Sequence, residues 1–194
     1  QNTDAALRKD IFRVWLPSER PNTGAGTTEF PLTESGRAKK AEWDPTNDPA
    51  LRCIPPGLPT AMDNPYPIAF LDQGDTIILL LEEWDGIRTI HMNDPGSREQ
   101  AQPWMGYSTG RWNENTLIVE TTDIGWRYID DLGTPQSEDV VITEHFTLSQ
   151  DGTSLSWEAR ITDPVNFTEP VVMEGAWIWL PGHEIKPFNC FLAD

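Results

Sequence analysis

Histidine and cysteine are scarce in this chain, whose 194 residues include three histidines and two cysteines. Cys53 and Cys190 lie far apart, which excludes the CxxC spacing of redox and structural zinc motifs. The histidines do not show zinc-ligand spacing, and the acidic loops at 93–94 and 130–131 lack an EF-hand pattern. Because no glycine-rich phosphate loop precedes a helix either, the sequence predicts no bound metal and no cofactor.

Positive charge is also in short supply. Lys and Arg total 14 and Asp and Glu total 31, so the net charge is −17 at pH 7. Such a balance opposes binding to nucleic acid, which depends on Lys and Arg contacts with phosphate, and to anionic membranes. No apolar run has the length needed to cross a bilayer. The sequence therefore predicts no nucleic-acid partner and no membrane insertion, and it leaves the oligomeric state open.

The two cysteines have two interpretations. Cys53 and Cys190 form either a disulfide that ties the C-terminal tail to the body of the protein or a pair of buried free thiols. A disulfide requires an oxidising compartment, and a start at Gln1 without methionine fits the removal of a targeting segment. We expect the disulfide, in a mature periplasmic or extracellular protein.

Proline and glycine, with 17 and 14 residues, concentrate in the first third of the chain and in later turns. Residues 1–67 predict an irregular, proline-rich arm that wraps over a surface, because closely spaced prolines prevent regular strand pairing. Short helices are predicted over 4–15 and over 33–43, the second capped by Thr33 or Ser35.

The β domain is predicted over residues 68–194, where runs rich in β-branched and aromatic residues alternate with turns. We expect a mainly β fold, an antiparallel meander of about eight strands that closes as a lipocalin-like barrel or stacks as a sandwich. The long loops 93–105 and 123–138 carry Trp104, Trp126, Arg127 and Tyr128, and such loops often carry function. The candidate strands are 68–72, 76–84, 87–92, 106–112, 116–122, 139–148, 153–162 and 171–180.

The hairpin over residues 77–92 contains the first candidate site. A two-residue turn at Asp85-Gly86 would make Glu82 and His91 diagonal neighbours on one face, about 7–8 Å apart. The pair has two interpretations, as a satisfied buried polar pair or as a catalytic base with its orienting carboxylate.

Glu144 is the second candidate, because it is the one acid in an otherwise apolar row of strand 139–148. A carboxylate that faces an apolar interior is unfavourable unless it is paired. Glu144 is therefore either a general acid or base, or a structural residue paired with an arginine such as Arg88 or Arg111. Arg88 itself is expected to form a solvated ion pair with Glu83 on the other hairpin face.

Large aromatic and polar side chains near these acids are predicted to shape a pocket. Ser108 lies in a G-x-S-x-G sequence, but a strand rather than a helix follows it, which excludes a nucleophile elbow. The predicted substrate-binding residues are Trp84, Trp104, Tyr107, Arg111 and Trp112.

These patterns favour a cofactor-independent acid–base enzyme of the isomerase, lyase or hydrolase type. Glu82, His91 and Glu144 would move protons on a small apolar or aromatic molecule held in a barrel cavity. The alternative is a secreted or periplasmic carrier or sensor that binds a hydrophobic small ligand in the same cavity. A structural component of the cell envelope that uses its Trp-rich loops is a third possibility.

Several linked motifs, in one order over most of the chain, carry a family resemblance: PLTESGRAKKAEWDP, DPALRCIPPGLPTAM, NPYPI, RTIHMND and GYSTGRW with TLIVETT. They resemble an uncharacterised family of secreted bacterial proteins. In that family an acid stands six positions before the hairpin arginine, as Glu82 does before Arg88, and an E-R-F motif matches EHF at 144–146. The chain departs from the family at NEN, residues 113–115, where the family has a GRWEGDTL-like turn. The resemblance implies an exported protein and emphasises Glu144 over its neighbour.

Overall fold

The structure is a computed structural model that describes residues 10–18, 29–93 and 102–192. These residues form nine strands, one α-helix and five short 3-10 segments. The strands are β1 (Val14–Pro17), β2 (Ile68–Asp72), β3 (Thr76–Leu81), β4 (Gly86–His91), β5 (Tyr107–Asn113), β6 (Thr116–Thr122), β7 (Val141–Leu148), β8 (Ser154–Thr162) and β9 (Val171–Ile178). Helix α1 spans Glu34–Ala41, and the 3-10 segments span Pro45–Asn47, Pro49–Arg52, Thr60–Met62, Glu83–Asp85 and Pro103–Met105. None of the helices in the described ranges has the length and apolar character needed to cross a membrane.

The nine strands form one closed barrel in chain order, with β9 paired to β1. Each pair of neighbours is antiparallel except β4 and β5, which run parallel. The chain therefore returns to the end where β4 began before β5 starts; residues 94–101 of that predicted loop lie outside the described residues. The prediction of a mainly β, lipocalin-like barrel is confirmed, with one parallel pair as a correction to the antiparallel meander.

Strand β1 comes from the segment that was expected to be an irregular arm. The helix predicted over 4–15 is wrong for residues 10–15, which form a turn and the start of β1, while residues 4–9 lie outside the described ranges. β1 pairs with β2 on one side and β9 on the other. Closing the barrel removes two open sheet edges, and this gain outweighs a weak local preference for helix.

Large side chains fill the barrel interior. Phe70 of β2 and Phe146 of β7, on strands that are not neighbours, meet edge to face with ring centroids 5.3 Å apart. This contact crosses the barrel, and Trp157 and Trp177 pack beside one another at 6.2 Å. The axis where we expected a ligand cavity is therefore occupied, at this level, by packed aromatic rings.

The connections 82–85, 123–140 and 163–170 lie at the same end of the barrel, called here the upper end. Helix α1 docks on this end, where Lys39 Nζ donates to Asn166 Oδ1 at 2.9 Å. Of the two predicted caps, Thr33 is the one that caps α1, because its hydroxyl oxygen accepts from the Gly36 N–H at 3.0 Å. The residues that follow α1 are thereby placed against the upper-end loops.

The Cys53–Cys190 disulfide is present, with a Cα–Cα distance of 5.9 Å. The C-terminal tail leaves β9 at the lower end and returns along the barrel to reach this bond. Near the upper end the backbone N–H of Phe188 donates to Asp85 Oδ1 at 3.0 Å. The disulfide prediction is confirmed.

Candidate functional site

The β3–β4 hairpin is displaced by four residues from the predicted register. Leu81 pairs with Gly86 and Thr76 pairs with His91, so the connection consists of residues 82–85. A two-residue type I′ turn requires positive φ at both central residues. Gly86 has φ −67° and begins β4, so the expected turn is not formed.

Glu82 and His91 therefore lie at opposite ends of β4 rather than side by side. The six residues from Gly86 to His91 span about 16 Å along the strand. Glu82 Oε2 accepts from the Lys186 backbone N–H at 2.9 Å, and the His91 ring stacks on Tyr107 with centroids 5.0 Å apart. The structure does not bring the predicted base and its carboxylate together.

Glu144 faces the barrel interior, as predicted, and is 1% exposed. It forms a forked ion pair with Arg88, whose Nη1 donates to Oε1 at 3.1 Å and whose Nη2 contacts Oε2. Trp157 Nε1 also donates to Glu144 Oε1, at 2.9 Å. Arg88 donates further to Ser108 Oγ at 3.0 Å and to Thr121 Oγ1 at 2.7 Å.

This arrangement is the structural alternative for Glu144, and it corrects the expected solvated pair between Arg88 and Glu83. The register shift is an even number, so it keeps the two hairpin faces, but the face with Arg88, Leu79 and Ile90 is the inner one. Both oxygens of Glu144 are occupied inside a closed core. The carboxylate is therefore not placed to exchange a proton with a substrate.

Two predicted pocket residues belong to the upper end. Trp84, in the connection 82–85, packs against the Phe188 ring of the tail with centroids 4.9 Å apart. Trp104 packs against the core, and its carbonyl oxygen accepts from the Leu58 N–H at 3.2 Å. Both act as anchors for neighbouring segments, and they do not line a shared cavity with Glu144.

The other three predicted pocket residues are dispersed on β5. Tyr107 is buried at its start beneath His91. Arg111 is exposed on the outer surface, and Trp112 is half-buried against the core near the lower end. The predicted set thus does not converge on one site.

Three aromatic rings converge instead at the upper end, in a groove of about 550 Å³ between segment 39–47 and loop 123–138. Trp43 meets Tyr128 edge to face with centroids 4.8 Å apart, and Trp126 meets Tyr128 at 5.9 Å. We name this feature the aromatic groove. Its polar lining residues include Lys39, Glu42, Asn47, Arg127, Gln136 and Glu138. The volume lies in the range typical of small-molecule sites.

Backbone and side-chain hydrogen bonds give loop 123–138 a defined shape. The Ile129 N–H donates to the Thr134 carbonyl at 2.9 Å, and the Gln136 N–H donates to the Arg127 carbonyl at 2.8 Å. Asp130 accepts from the Thr134 N–H at 2.8 Å and from its hydroxyl at 2.6 Å. The rings on this loop therefore stand on a constrained support.

Trp43 is seated on the backbone of Gly133. A Cβ atom at position 133 would lie 2.2 Å from Trp43 Cγ, and Gly133 has φ +72°. Glycine is required here both by the close approach of the ring and by the left-handed backbone. The contact between Gly133 and Trp43 thus fixes the position of this wall of the groove.

Gln136 lines the groove and is 7% exposed. Its Nε2 donates to the carbonyls of Leu58 at 2.7 Å and Trp126 at 2.9 Å, which fixes the amide orientation. Its Oε1 is buried and accepts no hydrogen bond from the described residues. A buried unpaired acceptor is unfavourable by about 1–3 kcal/mol, so this oxygen would favour a ligand donor that reaches it after a small shift of the side chains that cover it.

A second feature at the upper end is a group of acids that we name the carboxylate cluster: Asp48, Asp63, Glu83, Asp130 and Asp131. Burial, with the charges of Asp131 and Asp130, raises the pKa of Asp63 to about 6. Burial, with the charge of Asp131, raises the pKa of Glu83 to about 7. Asp63 Oδ1 and Glu83 Oε2 are buried and have no hydrogen-bond partner in the described part of the chain.

Carboxyl groups with raised pKa values can hold and release protons near neutral pH. The sequence did not indicate Asp63 or Glu83, because Asp63 lies in the proline-rich segment and Glu83 was assigned to a solvated face. Their proximity to Asp131 arises only in the folded chain. Among the described residues, no three His, Cys, Asp or Glu side chains are arranged to hold a metal ion.

Another groove, of about 590 Å³, lies on the outer surface of β6 to β9 and includes His145, Glu158 and Glu174. Its lining combines small side chains such as Ser156 and Ala176 with larger ones such as Ile118. None of the buried unpaired polar atoms of the described residues belongs to its lining. The aromatic groove is therefore the better supported site.

Comparisons with protein-family models, with curated proteins and with solved structures gave no match to this chain. The motif resemblance to secreted bacterial proteins stays a prediction.

Proposed function

We propose that the protein binds a small ligand in the aromatic groove and acts as a carrier or sensor. The convergence of Trp43, Tyr128 and Trp126 in one groove is the observation that carries this proposal. Indole and phenol rings offer large, flat apolar surfaces with a polar edge, which suits them to ligand pockets. The proposal keeps the predicted carrier or sensor function, drops its restriction to a hydrophobic ligand, and moves the site from the barrel axis to the upper end.

The construction of the groove supports binding without a large rearrangement. Trp43 is held by Gly133 and Tyr128, and Trp126 Nε1 donates to Thr60 Oγ1 at 3.2 Å. Side chains that are already ordered lose little conformational freedom when a ligand arrives, which favours affinity. We also propose a periplasmic or extracellular location, which the disulfide supports because such bonds persist in oxidising compartments.

Isothermal titration calorimetry of the full chain tests this function with a panel of phenol, indole, neutral methyl glycosides, and small organic anions and cations. We expect saturable 1:1 binding of at least one class and at least about tenfold weaker binding by Trp43→Ala, since aromatic anchors dominate such sites. Trp179→Ala, at an exposed tryptophan of the lower end, is the matched control and should bind normally. Absence of binding across the panel, or equal losses in both variants, would overturn the proposal.

A second candidate is the predicted acid–base enzyme, relocated to the carboxylate cluster. It is favoured by the raised pKa values of Asp63 and Glu83 and by their buried, unpartnered oxygens. In this version a protonated Glu83 donates a proton to a substrate, which is general acid catalysis of the ordinary kind.

Glu83→Gln and Asp63→Asn separate this enzyme from a carrier. If the cluster is catalytic, these variants keep ligand binding and lose turnover of the bound compound, measured by product analysis. If the native protein returns every bound compound unchanged, the carrier or sensor function stands and the enzyme is rejected.

A further inference from the structure

We propose that the ligand of the aromatic groove is a neutral saccharide. This inference rests on the proposed function and adds the chemical class of the ligand. It follows from three properties of the groove: its aromatic walls, its mixed charge, and one buried acceptor without a partner.

The walls offer aromatic faces and edges on more than one side. Trp43 and Trp126 each stand edge-on to Tyr128, so the three rings do not form a single flat slot. A planar hydrocarbon is best held between parallel surfaces. A pyranose ring presents apolar C–H groups on its faces and hydroxyl groups around its rim, so it can contact differently oriented rings at once.

The charges of the lining are mixed. Lys39 and Arg127 are cationic, and Glu42, Asp44 and Glu138 are anionic. A charged ligand of either sign would meet a like charge in this small space, and an anion would also be opposed by the net charge of −17. A neutral ligand with many hydroxyl groups can donate to carboxylates and accept from the guanidinium group.

Part of this lining is already engaged within the protein. Lys39 Nζ donates to Asn166 Oδ1, and Asp44 Oδ1 accepts from the N–H of Thr46 at 2.9 Å. For these two residues the charged group is committed to holding the fold around the groove. The charged groups that best suit ligand contact are therefore Glu42, Arg127 and Glu138. The two carboxylates accept hydrogen bonds and the guanidinium group donates them.

Gln136 adds a directional requirement. Its Nε2 is fully used by two carbonyls, so its buried Oε1 needs a donor and cannot be satisfied by rotating the amide. An apolar aromatic ligand would leave this oxygen unpaired. A sugar hydroxyl can donate to Oε1 after a small shift of the side chains that cover it, and a site built in this way discriminates strongly against ligands that lack the donor.

Calorimetric titration of the full chain with methyl glycosides of hexoses and pentoses, and with disaccharides built from them, tests the inference. We expect saturable binding of at least one of them, weakened about tenfold or more by Trp43→Ala and unchanged by Trp179→Ala. Glu138→Gln, at an exposed position on the groove, should weaken binding several-fold, so that the test survives if Trp43→Ala lowers stability.

A deoxy series of the best glycoside examines the Gln136 contact while the protein stays unchanged. Removal of one particular hydroxyl should weaken binding about tenfold or more, whereas removal of most others should have small effects. A flat response across the series would overturn the assignment of a hydroxyl donor to Oε1.

The remaining outcomes distinguish this inference from the proposed function. If phenol or indole binds in the groove with sensitivity to Trp43→Ala and no glycoside binds, the saccharide class is rejected and the binding function stands. If an organic cation binds in the groove and no glycoside does, the inference that the ligand is a neutral saccharide is rejected. If no compound binds, both the class and the proposed function are rejected.

Discussion

The interior of the barrel and its upper end treat buried charge in opposite ways, although Arg88 and Glu83 are five residues apart in one hairpin. In the interior, Arg88 and Glu144 satisfy one another, and Ser108, Thr121 and Trp157 complete the network. At the upper end, Glu83 lies among acids and has a buried oxygen without a partner among the described residues.

This contrast separates polar groups that stabilise the fold from polar groups that remain available to a ligand. Buried polar groups in folded proteins are usually paired, and strained or unpaired exceptions tend to gather at functional sites. Glu144 attracted attention in the sequence because it interrupts an apolar row, yet it has every partner it needs. Glu83 was assigned to a solvated ion pair and Gln136 was not singled out, yet each has a buried oxygen without a hydrogen-bond partner among the described residues.

The largest expected effect comes from breaking the interior pair. Glu144→Leu leaves the Arg88 guanidinium buried without its carboxylate and should reduce the free energy of unfolding by about 3–5 kcal/mol. Urea denaturation followed by circular dichroism measures this loss. Glu120→Leu, at an exposed position of the neighbouring strand β6, is the control and should shift stability by less than about 0.5 kcal/mol.

A double variant provides a second test of the buried ion pair between Arg88 and Glu144. Arg88→Met with Glu144→Leu removes both charges and should recover much of the lost stability, because apolar packing often replaces a buried ion pair without loss. A single variant as stable as the native protein would contradict the structural role of Glu144.

An intermediate effect is expected at the seat of Trp43. Gly133→Ala places a methyl group against the ring and forces a left-handed backbone on alanine, so we expect a loss of about 2 kcal/mol or more. Gly74→Ala isolates the backbone part, because Gly74 has φ +80° and its Cβ would meet no atom within 4 Å. Near-ultraviolet circular dichroism should change only for Gly133→Ala. Equal stability losses in the two variants would show that the Trp43 ring moves away from the added methyl group at no energetic cost, and would contradict the prediction.

The smallest effect is a pH dependence that comes from the carboxylate cluster. Asp63 and Glu83 have higher pKa values in the folded chain than in the unfolded chain, so the folded state binds more protons. Their contribution to stability is therefore complete below about pH 4 and is lost as the pH rises through about 6 and 7. After solvent screening we expect on the order of 1 kcal/mol from each group.

Thermal unfolding at pH 4.5 and pH 7.5 measures this contribution as a difference in stability between the native protein and the double variant Asp63→Asn/Glu83→Gln. The double variant should gain stability relative to the native protein at the higher pH. Glu120→Gln is the control for the general effect of removing an acid. If the difference between native protein and double variant stays constant with pH, the two carboxyls do not titrate as described.

Much of the fold followed from the sequence because alternation along a strand is a local property. The inward position of Glu144 and the eight strands after residue 67 depend on that alternation, and Thr33 caps α1 by a local rule. Strand β1 could not be found in this way. Its pairing with β2 and β9 is made across the whole length of the chain.

The candidate site was mostly beyond the sequence for the same reason. Loop 123–138 was marked by its length and by Trp126, Arg127 and Tyr128, but the third ring, Trp43, arrives from the end of α1. The hairpin register failed because it was inferred from Asp85-Gly86 alone, while the backbone places the turn earlier. The contact of Trp43 with loop 123–138 and the backbone angles of Gly86 both depend on tertiary structure.

The disulfide turns most of the barrel into a covalent ring. Cys53 and Cys190 are separated by 137 positions, and the eight strands from β2 to β9 lie between them. A protease that cuts one peptide bond anywhere in this ring leaves the two pieces joined. β1 is the one strand of the described barrel that lies outside this covalent ring, and hydrogen bonds and packing hold it between β2 and β9.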